Sequence, residues 1–178
     1  YTRVGYWKQS IDSNVASVTA AKAEKSVGNS LHAQDYMVYA HLQLGQDKQA
    51  NAVVDEVMKE PDFKAALLGA DYALAAAPAR YAVERGDWAG ASQLQVRPSP
   101  FNSVVAISHF ARALGAALSG KPDAAAVDIA KLAELRDKLR EAKDGYWAEI
   151  VDIQRQVAAA WLLHAEGKYA EALKAMSA

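Results

Sequence analysis

The sequence predicts an all-α chain of successive helix hairpins, and three observations carry that prediction. Alanine supplies about a fifth of the 178 residues; it has the best intrinsic helix propensity, and its small side chain lets helices approach closely. Strand-forming residues are nowhere clustered. A glycine followed five residues later by a small residue recurs along the chain, as Gly5/Ser10, Gly45/Ala50, Gly86/Ala91, Gly120/Ala125 and Gly167/Ala172. The steps between these glycines are 40, 41, 34 and 47 residues, the range of helix-pair repeats.

Turn chemistry explains the pattern. Each glycine closes a helix in the left-handed conformation that side chains resist. The next helix starts one or two residues on, where Asp47, Asp87, Pro122 and Asp123 suit a helix N-terminus. The small residue then faces the preceding helix and permits close contact. An aromatic two residues after the glycine (Trp7, Trp88, Tyr169) is placed to plug the wedge between the two helices.

The elements follow in order. A first helix runs from Lys8 to Ser26, and Gly28-Asn29-Ser30 reads as a turn with Ser30 as N-cap. Helices near 31–44 and 47–59 come next, then a break at Glu60-Pro61-Asp62. The following helix, near 62–85, is kinked or split at Pro78, because proline removes a backbone hydrogen bond and clashes with the turn before it. A short helix spans 87–95. Arg97-Pro98-Ser99-Pro100 is a loop. Helices near 101–119, 122–143, 146–166 and 168–177 complete the chain. Leu132, Leu135 and Leu139 form an apolar stripe within a charged segment, which reads either as ordinary packing or as a dimerising face.

Here the sequence resembles the tetratricopeptide repeat family. The resemblance rests on Tyr36–Ala50, Pro78–Ala91 and Ala160–Ala172, with the small residue seven before the turn glycine matched by Ala79, Ala113 and Ala160 but not by Val38. The closing proline is matched loosely, by Pro61 and Pro98. It implies a right-handed α-α superhelix, a solenoid of about four to five helix pairs, with residues 1–178 forming one array whose first repeat is truncated. Thr2–Trp7, His32–Tyr36 and Pro78–Tyr81 further resemble larger, uncharacterised bacterial proteins of this type, in which further repeats would precede Tyr1.

Several function classes find no support. A formal net charge of −1 provides no basic stripe for nucleic acid. Without cysteine there is no disulfide framework, zinc-thiolate site or cysteine nucleophile. The longest apolar run, Ala73–Ala79, is far shorter than the roughly 20 residues a membrane span needs. Cytoplasm and periplasm both stay open as compartments. Neither a phosphate loop, a G-x-S-x-G elbow nor an H-E-x-x-H pair is present, so no catalytic residue and no cofactor are expected and the chain does not read as an enzyme. His32, His41, His109 and His164 lack the spacing of metal ligands. Asp35, Glu84, Glu149 and Asp152 read more simply as solvated charges than as acid–base pairs.

The expected function is binding. In the family the first helix of each pair lines a concave face, and the resemblance places His32, Asp35, Tyr36, Tyr39, Arg80, Glu84, Phe110 and Trp161 there. These types suit recognition of a peptide or helix of another protein. For Tyr36, Phe110 and Trp161 the competing reading is packing between repeats. Two other functions remain: self-association or contact with neighbouring repeats of the same protein, and a small-ligand or metal site near Trp161 and His164 or near Tyr36 and Tyr39.

Overall fold

The structure is a computed structural model that describes residues 1–60 and 67–177. Among these residues it is all-helical. A 3-10 turn at Thr2–Val4 precedes α1 (Trp7–Ala23), α2 (Val27–Gln43), α3 (Asp47–Met58), α4 (Leu68–Glu84), α5 (Trp88–Ala91), α6 (Asn102–Leu118), α7 (Pro122–Glu141), α8 (Gly145–Ala165) and α9 (Tyr169–Met176). The expected break at Pro61 and the start of the following helix fall outside the described residues.

One turn joins most of these helices, and it is the turn the glycines announce. Gly5, Gly45, Gly86, Gly120 and Gly167 all have positive φ, between 66° and 79°. Two lysines do the same work: Lys25 (φ 55°) and Lys143 (φ 59°). At every one of these seven positions the next helix begins two residues later. The N–H one residue past the closer often reaches back five residues, as in Ser26 to Ala21 (2.8 Å), Gln46 to His41 (2.9 Å) and Asp144 to Leu139 (2.9 Å). That bond satisfies a carbonyl the ended helix leaves without a partner.

The small residue five on is buried each time. Ser10, Ala50, Ala91, Ala125 and Ala172 are joined by Ser30 and Ala148, which follow the two lysines. The glycine steps of 40 and 47 residues are therefore two helices long, because a lysine closes the helix in between. This corrects the expected Gly28-Asn29-Ser30 turn. Those residues lie inside α2, Ser30 is a buried contact rather than an N-cap, and Ser26 stands at the cap position. Likewise α1 ends at Ala23, before Ser26.

Pro78 sits within an unbroken α4. The ladder loses one bond there, yet Ala73 to Ala77 and Ala79 are buried, so the surrounding packing holds the helix through the defect. The short helix shrinks to Trp88–Ala91, capped by the Asp87 carboxylate, which accepts from the Gly90 N–H at 2.9 Å.

The chain forms two compact units, Tyr1–Glu84 and Arg85–Ala178. In the first, α1 packs on α2, and α2 packs on both α3 and α4. Its core holds Leu31 and Val38 from α2, Val53, Val54 and Val57 from α3, and Ala73, Leu74 and Ala77 from α4. In the second, α7 packs on α6 and α8, α6 also touches α8 and α5, and α9 packs on α8. Leu132, Leu135 and Leu139 are buried in that core with Ala106, Ala113 and Val151. The leucine stripe of α7 is thus a packing face.

Candidate functional site

In the first unit, α2 and α4 hold six of the eight expected groove residues. They run in the same direction, because successive rungs climb both helices. At the lowest rung His32 lies against Gly69, where an added Cβ would come within 3.4 Å of the imidazole Nδ1. The middle rung joins Asp35, Tyr39 and Arg80. The Arg80 guanidinium pairs with the Asp35 carboxylate and also donates to the Asp35 carbonyl at 3.3 Å. The same guanidinium lies over the Tyr39 ring, 5.2 Å from its centroid. At the top rung Gln43 donates to Glu84 at 2.9 Å.

Aromatic contacts extend the ladder sideways. Trp7 from α1 meets Tyr39 edge-on at 5.3 Å, and His32 meets Tyr36 edge-on at the same separation. Tyr36 is 37% exposed. It also borders a shallow polar cleft of about 210 Å³ that Thr2, Ser10, Ser13 and Asn14 line from the other side.

The electrostatics separate structural from available charge. Asp35 is 7% exposed, and this burial raises its carboxyl above the usual range even though Arg80 opposes the shift. Desolvation likewise raises Glu84, again against the pull of Arg80. Arg80 is thus spoken for by Asp35 and Tyr39, and removing it would leave a buried carboxylate without a partner. The groups this face offers outward are His32, Tyr36 and the exposed Glu84.

Phe110 and Trp161 belong to the second unit. Phe110 packs against its main core, and Trp161 packs against Ala116, Ala117 and Ala125. Trp161 also begins a run of T-shaped ring contacts with His164 (5.4 Å), which continues to Tyr169 (5.0 Å). Tyr169 is 63% exposed, so it does not plug a wedge between helices, whereas Trp7 and Trp88 are half-buried.

Two charged clusters in the second unit lie outside the expected set. Asp128, 4% exposed, accepts from His109 Nδ1 at 2.7 Å and from Arg112 Nε at 3.1 Å. Arg112 also donates to the Leu94 carbonyl at 2.9 Å, which ties the chain after α5 to α6 and α7. Asp152 gathers Arg136 and Arg155. Their sequence trace was the three-residue spacing of His109 with Arg112 and of Asp152 with Arg155, which puts both members on one helix face. Among the described residues no group of three or more histidines or carboxylates is placed to hold a metal ion. Comparison with protein-family models, curated proteins and solved structures finds no match for this chain.

Proposed function

We propose that the chain is a tetratricopeptide-like array of helix hairpins, wound as a right-handed superhelix, that binds a peptide or helix of another protein along the α2–α4 face. The observation that carries the reading is the ladder itself. Two neighbouring helices, each the first of a hairpin, run in the same direction and present aromatic and charged side chains on one surface. Contact between α6 and α8 repeats the arrangement in the second unit. Trp7, Tyr39, Arg80 and Asp35 brace the face, so it is pre-organised and loses little freedom of its own on docking. The contact groups are Tyr36, His32 and Glu84.

The test uses Tyr36→Ala combined with Glu84→Gln, two exposed positions whose loss leaves the core intact. Immobilised wild-type protein retains a partner from an extract of the source organism, and the double variant of unchanged helix content releases it. Equal retention by both proteins would remove this face from the interaction.

A second reading, self-association, is favoured by α9. Tyr169, Leu173 and Met176 recur at helical spacing and are 63%, 71% and 47% exposed. Leu173→Glu abolishes a concentration-dependent rise in light-scattering mass if this reading holds. A wild-type protein that stays monomeric across that range excludes it.

A further inference from the structure

Among the ion-paired groups of the seam between α7 and α8, guanidiniums outnumber carboxylates three to two. Asp152, whose side chain is 14% exposed, is the hub. Its Oδ1 accepts from Arg136 Nη1 at 2.9 Å and from Arg155 Nε at 2.7 Å. Its Oδ2 accepts from Gln156 Nε2 at 3.2 Å and faces Arg140 Nη2 at 3.6 Å. Asp137 accepts from Arg136 Nε at 2.8 Å and faces Arg140 Nη1 at 3.7 Å. Three guanidinium groups therefore meet two carboxylates. Glu141 and Glu149, on the same helices, join no ion pair with these arginines among the described residues.

The surplus is localised. Arg136 and Arg155 donate to the same oxygen, so their positive groups are held close together, a placement that only a shared anion stabilises. Arg140 is half exposed, at 52%, and both of its carboxylate distances exceed a hydrogen bond. Arg155 donates its Nε to Asp152, and among the described residues its two terminal nitrogens make no further hydrogen bond. Both oxygens of Asp152 are already engaged, so a second anion is the group that would complete the arrangement. Guanidinium forks match the spacing of phosphate oxygens and bind them through paired, charge-assisted hydrogen bonds.

We infer that this seam is an oxyanion site that takes a phosphate group between Arg140 and Arg155, with Arg136 and Asp152 as its rigid floor. The phosphate comes either from free inorganic phosphate or from a phosphate monoester on a protein. The site is independent of the α2–α4 face, so either proposal can fail without the other.

Titration calorimetry on the intact chain tests it, with inorganic phosphate and free phosphoserine as probes in chloride buffers of matched ionic strength. Saturable one-to-one binding of at least one probe is expected. Tighter binding of phosphoserine assigns the monoester source, and tighter binding of phosphate the free ion. Arg140→Ala weakens that binding by at least about tenfold, the loss of one charge-assisted contact, with helix content unchanged by circular dichroism. Arg155→Ala does the same by a second route. The proposal falls if neither probe binds beyond the chloride blank, or if both variants bind as tightly as the wild type.

Discussion

Gly115 shows how much one missing side chain can decide. It lies in α6 where α5 crosses, and an added Cβ would stand 2.4 Å from the Ser92 N and 2.6 Å from the Trp88 carbonyl oxygen. Both are backbone atoms, so the helices themselves would have to separate. Gly115→Ala is expected to destabilise the protein by about 1–3 kcal/mol in urea unfolding. Gly145→Ala, with nothing within 4 Å of its added Cβ, is the control and loses no stability. The two lysine closers work in the opposite sense. A left-handed lysine is strained where glycine is not, so Lys25→Gly and Lys143→Gly should each add about 0.5–1 kcal/mol. A lower unfolding midpoint in either variant would show that the lysine side chain contributes something the turn needs. These sites also mark the limit of what residues announce. A glycine at a helix end is conspicuous because few other residues go there. A lysine in the same conformation carries no mark, and the buried Ser30 and Ala148 that follow look ordinary until the turn before them is known.

At the scale of elements, the sequence told which residues share a helix face but not which face meets which. The helices, their order and the α7 leucine stripe were legible because a period of 3.6 residues exposes the buried side of each helix. The pairings of Asp35 with Arg80 and of Asp152 with Arg136 were not, since they depend on the register between two helices. Asp35, Tyr39, Arg80 and Glu84 were expected on one face because they fall at set distances before turn glycines, but as groups open to a partner, whereas Arg80 pairs with the buried Asp35 and lies over the Tyr39 ring. Phe110 and Trp161 shared those distances and went to packing, since the distance fixes a face and not what covers it. The interhelix pairs carry a pH signature. Burial raises Asp152, but bonds from Arg136 and Arg155 outweigh it and bring the carboxyl down from 3.8 to about 2. A folded value below the unfolded one means that the unfolded chain takes up the proton first, so stability is lost as pH falls through that interval. The contribution at neutral pH is about 2 kcal/mol. Asp152→Asn should therefore be less stable than wild type at pH 7, and the gap should close as pH falls toward about 2. A gap that stays constant across the titration would show that Asp152 does not titrate in this way.

The whole molecule combines two units whose titrating groups respond to acid in opposite directions. In the first, burial raises Asp35 and desolvation raises Glu84. Their folded forms hold a proton that the unfolded chain releases, so protonation favours folding as pH falls through the raised values. In the second, hydrogen bonds from Lys131 to Glu134, from Arg136 to Asp137, and from Arg136 and Arg155 to Asp152 act the other way, and all three carboxyls are lowered. Acid removes the attraction that held those carboxylates charged. The cores are similar in kind, each an alanine-rich set around fully buried Leu31 or Leu132, so packing gives neither unit an evident advantage in acid. The order of loss should then follow the carboxylates. Hydrogen exchange measured at falling pH should show α7 and α8 amides losing protection before those of α2 and α4. Asp152→Asn should narrow the difference, because it removes the most strongly lowered group, whereas Asp35→Asn should narrow it from the other side by removing a group that gains stability in acid. If both units lose protection together at every pH, they unfold as one cooperative body and the opposing charges are averaged over it.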